Sequence, residues 1–71
     1  MANNLQSLEN AIQIALDTAV MTETALRGSN VDTTGVQIRN HTIPLLRMLL
    51  TSEEVPGSIP MLRRILDMTA S

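Results

Sequence analysis

The sequence predicts an all-α protein, and three observations support this fold class. Apolar residues recur at helical spacing in three segments. Stretches rich in turn-forming residues, at 28–35 and 52–57, separate these segments. The chain has no Phe, Tyr, Trp or Cys and has five Met, so its core must be aliphatic, with Met as adaptable filler. We expect a single small helical domain over residues 1–71, made of a long antiparallel helical hairpin and a short C-terminal third helix.

The first helix is predicted from Leu5 to Arg27, because asparagines before it can cap its start and Gly28 suits the position just beyond its end. Its apolar arc covers roughly 220° at 100° per residue, whereas packing on one neighbour needs roughly 100–140°. We therefore expect one side to pack inside the chain and the other to pack on a second copy. Glu23 lies on the apolar side, and the pattern does not explain it. The apolar positions are Leu5, Leu8, Ile12, Ala15, Ala19 and Leu26, with Ala11, Ile14, Met21 and Ala25 beside them.

The most apolar stretch, residues 42–50, recurs at residues 58–66 as a hydroxyl residue, Ile-Pro and an apolar turn with an Arg. Ser and Thr can cap a helix, and Pro costs little in a first turn, so either copy can begin a helix. The second helix thus has two possible starts. It runs from about Thr33 to Thr51 with a kink at Pro44, or it begins at Thr42. The first is favoured because apolar spacing continues across Pro44, although an interior Pro costs about 3 kcal/mol.

The second helix carries apolar residues on two faces, which predicts burial on both sides. The third helix is predicted from Ile59 to Met68. Its expected inward residues are Ile59, Leu62, Ile65, Leu66 and Met68.

Charge and composition exclude several classes of partner. The formal net charge is −2, from five Arg and seven acidic residues, and no Lys is present, so bulk electrostatics do not attract nucleic acid. Base stacking on aromatic side chains is impossible for the same chain. No apolar run approaches the length of a membrane span, and the N-terminus lacks the positive charge of a signal peptide. We expect a cytoplasmic protein that binds neither nucleic acid nor membrane.

The sequence offers little catalytic chemistry. His41 is the one histidine, and without Cys it cannot form the usual structural zinc set. No Gly-x-Ser-x-Gly motif is present, and the three glycines are too scattered for a phosphate loop. We expect no enzyme activity, no metal and no cofactor, with His41 as a partly exposed helical residue.

Arginines among apolar residues need partners, because an unpaired buried charge is costly. The simplest arrangement is a salt bridge within the chain or a side chain that extends into solvent. The functional alternative is an anion-binding role, toward the carboxylates of a protein partner or a phosphate-bearing ligand. The candidates for this role are Arg39, Arg47, Arg63 and Arg64.

The surplus of apolar surface predicts a homo-oligomer, most simply a dimer, because a small domain without disulfide, metal or aromatic core is marginal alone. The residues expected at the self-association surface are Ile14, Met21, Leu45 and Leu49. The predicted function is binding of another protein as a regulator, inhibitor or adaptor. Two alternatives are an oligomer that binds an anionic ligand such as a nucleotide through arginines, and a structural subunit of a larger particle.

Overall fold

The computed structural model describes residues 3–29 and 32–70 and confirms the all-α fold class. Within these ranges the chain forms helices joined by turns, and no strand occurs. In chain order the helical elements are α1 (Asn3–Leu26), α2 (Asp32–Gln37), a π-helical turn (Ile38–Thr42), α3 (Ile43–Thr51) and α4 (Ile59–Ala70).

Helix α1 ends one residue before the predicted Arg27, and Gly28 has the expected role beyond it. Gly28 adopts φ 77°, a left-handed conformation that glycine enters without steric cost. The backbone N–H of Ser29 donates to the carbonyl of Leu26 at 3.1 Å, and its hydroxyl donates to the same oxygen at 2.7 Å. These bonds satisfy a carbonyl that the end of a helix leaves without an intrahelical partner.

The segment from Asp32 to Thr51 is continuously helical, which confirms that the helix passes through Pro44. Thr42 has helical angles, φ −66° and ψ −51°, and makes no capping bond through its side chain. The π turn ends two residues before the proline. The N–H of Ile43, which lies between them, donates to the carbonyl of Ile38, five residues back. An ordinary α-helix would set the Pro44 ring against the carbonyl four residues back, so a wider turn at this place relieves that conflict.

The second copy of the Ile-Pro stretch, unlike the first, begins a helix. Ser58 accepts a hydrogen bond from the N–H of Met61 at 3.3 Å through its hydroxyl oxygen, as a capping residue does. The same hydroxyl donates to the carbonyl of Ser52 at 2.6 Å, which closes the connection between α3 and α4. Ser58 and the following Ile59 are both fully buried.

Helix α1 contacts every later helical element: α2, the π turn, α3 and α4. Glu23, late in α1, lies near Arg39 of the π turn, whereas Glu9, early in α1, pairs with Arg63 of α4. The later part of the chain therefore meets progressively earlier residues of α1. This order supports the antiparallel hairpin, which stays a prediction.

The molecule is thin, with extents of 53 × 21 × 11 Å along its principal axes. Its radius of gyration is 15.0 Å, against about 11 Å for a globular domain of this length. Few apolar residues can be enclosed in such a layer. In the described residues the buried apolar side chains are Ala19, Ile43 and Ile59.

One expectation about burial is wrong for the single chain, and another holds only in part. Ile65, Leu66 and Met68 were expected to face inward, but all three are exposed, because α4 packs against α3 and α1 on one side only. The second helix was expected to be buried on both sides. It buries Ile43, whereas on its other face Leu45 is exposed and Leu49 is half-buried, so the single chain covers that second face only in part.

The Ser58 cap generates a stability prediction with a matched control in the first copy. Ser58→Ala removes both hydroxyl bonds at a buried position, so we expect the free energy of unfolding to fall by about 1–2 kcal/mol. Thr42→Ala, at the equivalent place in the first copy, removes no cap and should change it by less than about 0.5 kcal/mol. Urea denaturation followed by circular dichroism measures both. Equal losses in the two variants would contradict the assigned cap.

Candidate functional site

The buried carboxylate of Glu23 is the centre of a charged cluster at the end of α1. Glu23 is 3% exposed, and Arg27, one helical turn later, donates three hydrogen bonds to it. These join Nε to Oε1 at 3.0 Å, Nε to Oε2 at 2.7 Å and Nη2 to Oε1 at 2.7 Å. Arg39 reaches the same carboxylate at 4.0 Å from the π turn. The cluster explains why an acid can occupy the apolar side of α1.

Electrostatics in this cluster favour the charged forms. Hydrogen bonds from Arg27 lower the pKa of Glu23 below its ordinary value, and the charges of Arg27 and Arg39 act in the same direction, while burial opposes them. The bonds from Glu23 raise the pKa of Arg27. A cavity of about 260 Å³ adjoins the cluster. Its lining residues are Glu23, Leu26, Arg27, Gly28, Gly35, Val36 and Arg39.

A second charged group lies on α4. Arg63 donates to both carboxylate oxygens of Glu9, at 3.3 Å for Nη1 to Oε2, and these bonds raise the pKa of Arg63. Arg64 pairs with Glu53 at 3.3 Å. Arg63 and Arg64 line one shallow depression together with Glu53 and Asp67. Glu53 and Asp67 thus neutralise much of the positive charge of this depression.

The four arginines proposed for anion binding do not form one site within a chain. Arg39 belongs to the Glu23 cluster, and Arg63 and Arg64 belong to the depression on α4. Arg39 lies near Glu23 and Arg63 pairs with Glu9. These two acids are fourteen residues apart on α1, which is about 21 Å along the helix. Arg47 is exposed and makes no ion pair within the described residues. Anion binding between copies of the chain stays a prediction.

Three of the four residues expected at a self-association surface are well exposed. The exposed fraction is 65% for Ile14, 72% for Met21 and 53% for Leu45, while Leu49 is half-buried. Ile14 and Met21 lie two turns apart on the outer side of α1, away from its neighbours. Other large apolar side chains are also exposed: Leu8, Val20, Val36, Met48, Ile65, Leu66 and Met68.

Sequence reasoning left the buried Glu23 unexplained and identified Ser58 only as a possible cap, although each had a local signal. The buried Glu23 precedes Arg27 by four residues, the spacing at which an acid and a base meet on a helix. Ser58 precedes an Ile-Pro helix start, but its full burial and its bond to Ser52 depend on how the connection closes. The part played by Arg39 arises only from packing of the π turn near α1.

The described residues contain no group of three His, Cys, Asp or Glu side chains placed to hold a metal ion. None of the helices in that part of the chain is both long and apolar enough to cross a membrane. His41 is exposed on the π turn.

No protein-family model, curated protein or solved structure matches this chain. Function therefore has to be inferred from the side chains themselves and from the surface that they form.

The Glu23 cluster predicts a specific dependence of stability on pH. The pKa of Glu23 in the folded chain lies below its ordinary value of 4.5. Its stabilisation is therefore present above that value and is lost as the pH falls through the folded pKa. We expect Glu23→Gln to lower the free energy of unfolding at pH 7 and to flatten its decline between roughly pH 5 and pH 3.

The control for this experiment is Glu54→Gln, at an exposed position that makes no ion pair in the described part of the chain. Thermal melts of parent and both variants across that pH range give the comparison. A Glu23→Gln variant whose melting temperature follows the parent at every pH would contradict a stabilising cluster.

Proposed function

We propose that this protein is a non-enzymatic helical protein that self-associates, most simply as a dimer, and that binds another protein as a regulator, inhibitor or adaptor. One observation carries the proposal: the single chain exposes more surface than a folded protein of its mass ordinarily does, and ten large apolar side chains of the described residues are exposed.

The excess can be expressed as an area. The accessible surface is 5176 Å², whereas a folded monomer of this mass exposes about 4,300 Å². The difference, about 800–900 Å², is close to the roughly 800 Å² that each partner contributes to a standard protein interface. A second copy that covers this area would give the chain the burial expected of a stable small protein.

The exposed side chains suit protein association rather than solvation. Patches of large aliphatic and Met side chains on a small domain mark interaction surfaces, and Met adapts its shape to partners. On α1 the exposed residues include Ile14 and Met21, and on α4 they include Ile65, Leu66 and Met68. Two separate apolar surfaces allow one to bind a second copy while the other binds a different protein as a helix in a groove.

The self-association half of the proposal predicts a molar mass of twice 7.7 kDa at micromolar concentration. Light scattering after size exclusion measures it, with refractive-index detection because the chain has no Trp or Tyr. A dilution series then gives the dissociation constant. A monomer that melts cooperatively at these concentrations would overturn self-association and would leave the apolar surface to a different protein.

The partner-binding half predicts that α4 captures a specific protein. An affinity-tagged parent should retain this protein from the native host cell, and Leu66→Asn should reduce its recovery at least about tenfold, a loss of about 1.4 kcal/mol. The control is Gln37→Asn, an exposed polar residue of α2, which should retain it fully. Equal recovery with all three chains would contradict a role for α4.

A further inference from the structure

The outer side of α1 carries a regular row of exposed residues, which we call the outer seam. Successive members are spaced four and three residues apart in alternation, the heptad spacing of helices that pack along their length. Every member is exposed, and the row lies opposite the residues of α1 that pack inside the chain, such as Ile12, Leu16 and Ala19. The outer seam consists of Ser7, Ala11, Ile14, Thr18, Met21 and Ala25.

The outer seam contains no charged residue, and the side of α1 around it has little charge. Glu9 and Glu23 face inward, where arginines bind them. Asp17 is the charged residue beside the seam in the described part of α1. A solvated helix face is normally polar and charged, whereas the centre of an interface is depleted of charge. A second copy would therefore meet no charge on the seam itself, although an antiparallel partner centred near Leu16 would bring its Asp17 beside Asp17 at the exposed edge of the seam.

The sizes of the seam residues are complementary when a second α1 lies antiparallel. A two-fold axis beside Leu16 places Ile14 opposite Thr18 of the second copy and Met21 opposite Ala11. Each large side chain then faces a small one, so the layers interdigitate evenly. In a parallel pair, Ile14 faces Ile14 and Met21 faces Met21, while Ala faces Ala, which leaves an uneven gap between the helices.

We infer that two copies of this chain pair through the outer seams of α1 in this antiparallel register. The inference rests on the proposed self-association. It adds which surface of the chain forms the dimer, the relative orientation of the two α1 helices and the residues that face each other. The occupant is a second copy because the seam complements itself in size, and because the surplus surface of about 800–900 Å² matches the share of one partner in a standard interface. The pairing is isologous, since Ile14 of each copy contacts Thr18 of the other, and it therefore closes as a dimer.

Cross-linking of single-cysteine variants distinguishes the two orientations, because the chain has no cysteine of its own. In the antiparallel pair, Ala15 flanks the seam next to the axis and lies beside Ala15 of the second copy. Ala25 lies about 27 Å from its counterpart, at 1.5 Å per residue. In a parallel pair, Ala25 faces its counterpart and the two Ala15 residues lie on opposite sides. We expect a short bis-maleimide reagent to cross-link Ala15→Cys but not Ala25→Cys.

The outcomes separate the inference from the proposal beneath it. Cross-linking of Ala25→Cys but not Ala15→Cys would overturn the antiparallel register. Cross-linking of neither, with a parent that light scattering shows to be a dimer, would overturn the outer seam and leave self-association intact. A monomeric parent would overturn both.

A matched pair of apolar substitutions provides a second readout. Ile14→Asn should raise the dissociation constant of the dimer at least about tenfold, because it places an amide in the middle of the seam. Ile65→Asn alters an exposed Ile of α4 outside the seam and should leave the constant within about twofold. Unchanged circular dichroism shows that each variant retains its helices. A dimer that Ile14→Asn does not weaken would contradict the inference.

Discussion

The structure depends on one constraint: the later helices meet α1 along a single face. The molecule measures only 11 Å across its smallest dimension. The stabilising free energy of hydrophobic burial is proportional to the apolar area removed from water. This energy is limited here because few side chains are enclosed. Ten large apolar side chains of the described residues are consequently exposed in the single chain.

Polar interactions at buried positions therefore have a large part in specifying this fold. The Glu23 carboxylate accepts hydrogen bonds from Arg27 and lies near Arg39, so it helps to position the end of α1 against the π turn. The Ser58 hydroxyl bonds to residues at the end of α3 and in the first turn of α4, so it fixes the connection between these helices. Such groups are costly when their partners are misplaced. They consequently favour one relative placement of the helices, which a sparse aliphatic core specifies less sharply.

Local sequence patterns predicted the helices well. They could not predict how many other helices pack against each one. Apolar spacing across Pro44 indicated a continuous helix, and Gly28 marked the end of α1, because both signals act over a few residues. The inward residues of α4 were predicted wrongly at Ile65 and Leu66. Periodicity identifies the apolar face of a helix, but it does not show whether another part of the same chain covers that face. The partial neutralisation of Arg63 by Glu9 likewise depends on contacts across the fold.

The π turn has a consequence for how this chain can change over generations. A π turn holds one residue more than the α-helical turn that it replaces. Deletion of one residue within 38–42 would return Pro44 to a regular helix, where its ring conflicts with the carbonyl four residues back. Replacement of Pro44 would remove the conflict that the wide turn relieves. The extra residue of the π turn and Pro44 therefore depend on each other. Sequences descended from this one should retain both or lose both.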